Sequence, residues 1–179
     1  MKEVLEKINN QVNLSMDEMQ EAMNQIMSGK VNDIDMESFL IGLNIKGISE
    51  EEITAAAMIM REKSLQIDIG DGSHIDTCGT GGTGLHTFNC STASSFVAAA
   101  GGAKITKHGN KAISSKSGSA DFLEEAGANI NHDRSMLDTI FSEIGFVFLF
   151  APLHHEAMKY VMPVRQKIAA KTIFCLLYT

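Results

Sequence analysis

The chain has 179 residues, 44% apolar and 21% charged, with two prolines and a formal net charge of −7. Its mean hydropathy is close to zero, so a predominantly disordered chain is excluded, and at roughly 100–200 residues per domain the length suits one domain or a small pair. A membrane-spanning helix is excluded as well, because runs such as 146–152 fall far below the roughly 18–20 apolar residues it needs.

The N-terminal stretch MKEVLEKINNQ is charged and amphipathic, unlike a secretory signal. Three cysteines (Cys78, Cys90, Cys175) in a chain with no export signal are expected to be reduced thiols in a cytoplasmic protein. Val4, Leu5, Ile8 and Val12 recur on one face of a first helix. Ser15 and Glu18 make a capping box ahead of Met16, Met19, Met23, Ile26 and Met27, and this second helix stops at Ser28-Gly29. A third is expected from about Asp35, with Phe39, Leu40 and Leu43 inward, to Gly47. Ser49 and Glu52 cap a fourth that carries Ile53, Ala56, Ala57 and Met60. The methionines of these helices read as flexible core filler.

Beyond Lys63 the composition changes, and eleven of the fifteen glycines fall between Gly70 and Gly127. A strand is expected over 74–78, a glycine loop over 79–84 and a buried, alanine-rich helix over 91–100. A second strand is expected over 103–107, a helix over 119–126 closed by Gly127, and a helix capped by Asp133 and ended by Gly145. Five unbroken apolar residues, 146–150, read as a strand buried on both faces of a parallel sheet. The alternation specifies an α/β fold: a small N-terminal helical domain over 1–70, then a mainly parallel-sheet domain over 71–179.

Charge is unevenly laid out. Residues 1–70 hold six Lys/Arg against thirteen Asp/Glu, and residues 71–179 hold nine of each. Lys104, Lys107, Lys111 and Lys116 follow one another with no acid from Ala103 to Ala120. A basic window in an acidic chain argues against general nucleic-acid binding. It suits a small anionic ligand, or else a solvated surface stretch.

Ligands of open α/β sheets bind beyond the carboxyl ends of the strands, and both strand-to-helix junctions here are rich in anion-binding chemistry. In Cys78-Gly79-Thr80-Gly81-Gly82-Thr83-Gly84, the glycines let backbone N–H groups wrap an anion. The spacing is neither a Walker loop nor Gly-x-Gly-x-x-Gly. After Thr87, the residues Asn89, Ser91 and Thr92 bring three polar side chains to a helix N-terminus, where Ser91 or Asn89 is expected to serve as the N-cap. At the second junction, Lys107 can neutralise phosphate, Gly109 permits close approach, and His108 and Asn110 offer hydrogen bonds. Ser114, Ser115, Ser117, Gly118 and Ser119 form another hydroxyl-rich helix start ahead of Ala120-Asp121.

The run DTCGTGGTGLHTFNCSTASSFVAAAGGAKITKHGNKAISSKSGSADFLEEAG, Asp76 to Gly127, closely resembles the anthranilate phosphoribosyltransferases of tryptophan biosynthesis, as does FAPLHHEAMKYVMPVR, Phe150 to Arg165. The resemblance implies a dimerising helical domain and an α/β phosphoribosyltransferase domain of nucleoside phosphorylase-like fold. Residues 152–172 are then expected to be helical and to pack back on the first domain. It implies a homodimer, with phosphoribosyl pyrophosphate and anthranilate as substrates and Mg²⁺ as cofactor. Carried over by position, phosphoribosyl pyrophosphate falls on Gly79, Thr80, Gly81, Gly82, Thr87, Asn89, Ser91, Thr92, Lys107 and Ser119. Ser91 is also implied for the metal, and Lys107 for electrostatic stabilisation of the leaving pyrophosphate, with no acid or base assigned. Anthranilate falls on Gly79, His108, Asn110 and Arg165, the last as a bidentate partner for its carboxylate. His155 matches a histidine of the family, with core packing as the other reading.

The chain departs from the family pattern at Thr83, where the family has Asp, and at Glu156, where it usually has Pro. After Lys167 the resemblance decays, and the acidic pair that the family uses for Mg²⁺ has no counterpart. The expectation is a truncated or frameshifted product, weakly stable and weakly active alone, with an open sheet edge. Two other readings stand beside it: a pyrimidine nucleoside phosphorylase, and a non-catalytic fragment binding anions, nucleic acid or a partner chain.

Overall fold

The structure is a computed structural model and describes every residue except 66, 68, 69, 71, 79–87, 113–116, 169, 178 and 179, and the side chains of 175 and 176. In chain order the helices are α1 (Lys2–Asn9), α2 (Met16–Met27), α3 (Asp33–Lys46), α4 (Glu50–Lys63), α5 (Cys90–Ala100), α6 (Ser119–Glu125), α7 (Arg134–Ile144), α8 (Ala151–His154), α9 (Met162–Ile168) and α10 (Ile173–Leu177). The strands are β1 (Ile105–Gly109) and β2 (Phe146–Phe150), and a 3-10 turn spans Glu156–Tyr160. The chain forms two compact units, one from Met1–Ser64 with His155–Thr179 and one from Leu65–His154. Among the described residues no helix is long and apolar enough to cross a membrane.

The first unit is a helical bundle. Ser15 and Ser49 each accept from the N–H three residues on, and Glu18 and Glu52 return the bond to the cap's own N–H, completing both capping boxes. Gly47, with φ 83°, ends α3. Ile8, Met19, Met23, Ile26, Met36, Phe39, Leu40 and Leu43 are buried together with Ile173 and Phe174. Each such side chain contributes about 1.5–3 kcal/mol relative to exposure. Two inward faces differ from expectation. Gln11 turns the chain out of α1 at φ 59°, so Val12 leaves the helical face and is 48% exposed. On α4 the buried face is Glu52, Ala55, Ala56, Ile59 and Met60, so Ile53 and Ala57 sit at its margin rather than its centre.

The second unit is α/β. β1 and β2 pair in parallel, Ile105 opposite Phe146 through Gly109 opposite Phe150. The helix α7 between them is capped by Asp133, which accepts from Met136 N–H, and is closed by Gly145 in the left-handed region. The strand expected over 74–78 is reduced to one isolated parallel bridge, Ile75 to Ile105. β1 begins two residues later than expected and runs through Lys107, His108 and Gly109, because pairing with the apolar β2 overrides their polar character.

The helix expected to be buried over 91–100 is not. In α5 only Thr92 and Ser95 are buried, and Phe96 and Val97 are 41% and 74% exposed. Apolar composition on all sides shows what a helix could bury, whereas here β1 covers only one face. Phe96 stacks on Phe146 at 5.0 Å between ring centroids, and a shallow groove lined by Phe88, Cys90, Ala93 and Val97 runs along the opposite side.

Candidate functional site

The carboxyl end of β1 meets the N-terminus of α5 and the short segment 75–78. Alternation along β1 buries Ile105 and Lys107 on one face. Lys107 is 2% exposed, and its Nζ donates to Thr77 O at 3.3 Å and to Thr77 Oγ1 at 3.5 Å. Both acceptors are uncharged and both bonds are long, so the ammonium is desolvated with no carboxylate of the described residues in ion-pair contact. That costs free energy unless another anion arrives. Burial pushes the Lys107 pKa down, and the charge of Asp76 opposes that drop.

Thr77 ties this cluster to the helix, since its hydroxyl donates to Ser91 O at 2.8 Å. Ser91 lies in the first turn of α5 and Thr92 is buried beside it. Asn89 occupies the N-cap position, but its side chain makes no cap bond. It donates instead to Gly118 O at 3.0 Å and Ser117 Oγ at 3.4 Å. Its amide therefore bridges two helix starts, which replaces the capping role expected of it.

The second junction is packed backbone to backbone. A Cβ on Gly109 would collide with Ser119 Oγ and would lie 2.6 Å from the Phe148 ring. A Cβ on Gly118 would meet Asn110 O and Ala112 N at 2.5 and 2.6 Å. Only glycine fits at either position. Asp121 Oδ2 accepts from Gly118 N–H at 2.7 Å and Ala112 N–H at 2.8 Å, and these bonds hold its pKa down. Ser119 Oγ donates to Asn110 O at 3.5 Å, and Asn110 Oδ1 accepts from Lys111 N–H at 2.8 Å.

His108 is half-buried, and its N–H donates to Asp76 Oδ1 at 3.3 Å. Its pKa is lowered first by burial, then by the neighbouring His154 and Lys107. A neutral imidazole is thus favoured next to a buried ammonium.

The structure brings Asn89, Ser91, Thr92, Lys107, His108, Asn110 and Ser119 into this one α/β unit. Arg165 lies on α9 in the helical unit, with its guanidinium 5.7 Å from the Phe174 ring centroid. Gly79, Thr80, Gly81, Gly82, Thr83, Thr87, Ser114 and Ser115 lie outside the described residues. The basic window does not act as a unit. Lys104 sits over Phe141 at 5.9 Å, Lys111 pairs with Glu124 at 2.8 Å, and Lys116 is not among the described residues.

Sequence reasoning gave no role to Asp76, Thr77 or His154. Asp76-Thr77 does carry a local signal, a polar pair that follows Ile75 and stands two residues ahead of the glycine loop. No three His, Cys, Asp or Glu side chains gather as a metal cage among the described residues. The donors of the described residues here, hydroxyls, one ammonium and the single carboxylate of Asp76, do not by themselves fit a divalent cation.

Residues 71–178 match the glycosyl transferase family a/b domain, and residues 2–64 match that family's helical bundle domain. The chain belongs to this glycosyl transferase family. Similar relatives include the anthranilate phosphoribosyltransferase of Hydrogenovibrio crunogenus, 45% identical over 99% of this chain and 52% of the relative. That of Xanthomonas axonopodis pv. citri is 50% identical over 90% of this chain and 47% of the relative. Among solved structures, the anthranilate phosphoribosyltransferase of Thermus thermophilus superposes with a TM-score of 0.87 at 38% identity, covering 97% of this chain and 53% of that one. The Saccharomyces cerevisiae enzyme, in complex with phosphoribosyl pyrophosphate and Mg, has a TM-score of 0.83 at 31% identity over 92% of this chain and 49% of its own. This member of the glycosyl transferase family spans about half the length of the curated relatives it matches.

Proposed function

We propose that this glycosyl transferase family chain contributes the phosphoribosyl pyrophosphate site of an anthranilate phosphoribosyltransferase in tryptophan biosynthesis. The observation that carries the reading is Lys107, a buried ammonium whose Nζ bonds, among the described residues, to Thr77 O and Oγ1 where β1 meets the start of α5. In the reaction the bond from ribose C1 to the pyrophosphate oxygen breaks, and a bond from C1 to the anthranilate nitrogen forms. The nitrogen then gives up a proton. Charge builds on the departing pyrophosphate, so a desolvated cation and helix-start N–H groups stabilise the transition state more than the ground state.

Asn89, Ser91, Thr92 and Ser119 are assigned to the pyrophosphate together with Gly79, Thr80, Gly81, Gly82 and Thr87. His108, Asn110, Gly79 and Arg165 are assigned to anthranilate, with Arg165 suited to a bidentate bond with its carboxylate. The Ser91 hydroxyl is the assigned contact for Mg²⁺, which would help neutralise the pyrophosphate when bound.

Calorimetric titration of this chain with phosphoribosyl pyrophosphate in Mg²⁺ buffer tests the reading. Binding is expected, and Lys107→Ala is expected to weaken it by about 1.5–3 kcal/mol, as for a charged hydrogen bond. A folded chain that ignores this ligand but releases free base from thymidine and phosphate would make it a nucleoside phosphorylase instead.

We also assign a cytoplasmic location and a homodimer formed through α3. Ile34, Ile41 and Ile45 are 75%, 37% and 72% exposed, and with Ser38 they line the face of α3 opposite the buried Met36, Phe39, Leu40 and Leu43. This stripe complements itself. A two-fold axis at its middle sets Ile34 against Ile45 and Ser38 against Ile41 of an antiparallel copy.

A further inference from the structure

We infer that Asp76 is a positioning residue for the anion site: its carboxylate clasps the end of β1 and serves as the resting counter-charge that keeps Lys107 an ammonium until substrate pyrophosphate replaces it. The inference rests on the reading of Lys107 given above. Asp76 follows the single bridge Ile75 to Ile105, so its backbone is pinned beside β1. Its Oδ1 accepts from His108 N–H at 3.3 Å, while the next residue, Thr77, takes both hydrogen bonds from Lys107 Nζ. Asp76 and Thr77 thus hold two successive residues of β1, one through a side-chain carboxylate and one through a carbonyl and a hydroxyl.

Among the described residues, few charged groups surround Lys107. β2, which pairs with β1, is wholly apolar, and α5, packed on β1, has Cys90 as its one titratable side chain. Among the described residues, the carboxylate that acts on Lys107 is that of Asp76 in segment 75–78. His108 is the other titratable residue on β1, with His154 acting on it in turn. Burial leaves the Asp76 pKa above its ordinary value, and His108 N–H, Lys107 and the Cys78 thiol and N–H offset only part of that rise. A carboxylate near enough to be felt but outside ion-pair contact suits a site that must release its cation. A direct salt bridge would have to break before pyrophosphate could bind, whereas this arrangement keeps the charge without occupying the donors.

The test is an NMR titration of Lys107 in the 179-residue chain labelled at lysine Cε, with and without Asp76→Asn. Asparagine keeps the Oδ1 acceptor for His108 N–H and removes only the charge, so a merely structural role predicts no change. The Lys107 midpoint is expected to fall by about one pH unit in Asp76→Asn and to be restored in Asp76→Glu. Coincident midpoints in wild type and Asp76→Asn would overturn the inference. The reciprocal measurement, the Asp76 carboxyl midpoint in Lys107→Met, is expected to rise by the same amount, and an unmoved midpoint there is equally decisive. Pyrophosphate titrations separate the two ideas. Lost binding in Lys107→Met with no Asp76 effect keeps the site and rejects the counter-charge; unchanged binding in Lys107→Met rejects the site reading itself.

Discussion

Lys46 Nζ and Glu52 Oε2 stand 2.8 Å apart with their side chains 1% and 0% exposed, an ion pair wholly removed from water within the helical bundle. Every strong acceptor and donor of the pair is used. Glu52 also takes the N–H groups of Leu14 and Ser49 at 2.9 and 2.8 Å. Lys46 also reaches Asn13 Oδ1 at 2.7 Å and Gly47 O at 2.6 Å. The pair therefore staples the end of α3, the start of α4 and the turn before α2. Glu52→Gln leaves the Lys46 charge buried without its counter-ion, and a loss of about 3–5 kcal/mol is expected in urea unfolding. Replacing both residues with apolar side chains should cost less than either single change. Equal losses would show that the charges are not coupled.

The same carboxylate sets an acid limit on the fold. Burial alone would raise the Glu52 pKa, but hydrogen bonds from Lys46, Ser49 N–H and Leu14 N–H, with the Lys46 charge, outweigh it and bring it below its usual value. A folded-state pKa below the unfolded one means that Glu52 binds its proton more readily in the unfolded chain. Its stabilisation is complete above the unfolded pKa, about 4.3, and is lost as pH falls through the folded pKa. The melting temperature of wild type should drop over that acid window, and that of Glu52→Gln should drop less steeply. Parallel profiles would remove Glu52 from the acid transition.

Gly109→Ala tests the close approach at the second junction. The added methyl would run into Ser119 Oγ and the Phe148 ring, and overpacking of this kind costs about 1–3 kcal/mol. Because the displaced atoms belong to the proposed anion site, pyrophosphate affinity should fall together with stability. A variant that melts and binds like wild type would show that α6 has room to move away.

Ile34→Lys with Ile45→Lys should convert a dimer to a monomer in light scattering. Both side chains are already exposed in the single chain, so the melting temperature measured at low protein concentration should hardly change. A dimer that survives the double substitution would place the contact elsewhere.

Arg165→Ala should weaken anthranilate binding about tenfold or more, as for a lost hydrogen bond to a charged group, with pyrophosphate binding unaffected. Fluorescence titration with anthranilate reads the first and calorimetry the second. The opposite pattern would move Arg165 to the other substrate.

What local sequence dictates, it dictated well. Both capping boxes, the stop at Gly47, the helix from Asp133 to Gly145 and the strand Phe146–Phe150 rest on neighbours within a few residues, and all are present. The failures are non-local. Glu52 reads as a cap, and nothing near it in sequence announces that Leu14 N–H, 38 residues away, completes a buried network. Residues 74–78 have the composition of a strand, but strand formation needs a partner for its whole length and only Ile75 finds one. The apolar sides of α5 resemble a core helix, yet burial depends on what lies opposite. In the site, Lys107, His108 and Asn89 stood out by residue type and position. Thr77 and Asp76 did not, because their role exists only once segment 75–78 lies against β1.

The parallel register of β1 has an evolutionary consequence. Side chains along a strand alternate between faces, and Ile105 opposite Phe146 is what turns Lys107 towards Thr77. Inserting or deleting one residue between α5 and β1 would leave composition, helices and hydrophobic content untouched. It would nevertheless present Thr106 or His108 to Thr77 in place of the lysine, trading an ammonium for a hydroxyl or a largely neutral ring. The turn at 101–104 is therefore a place where indels should be purged as strictly as substitutions in the site itself, although none of its residues touches the anion.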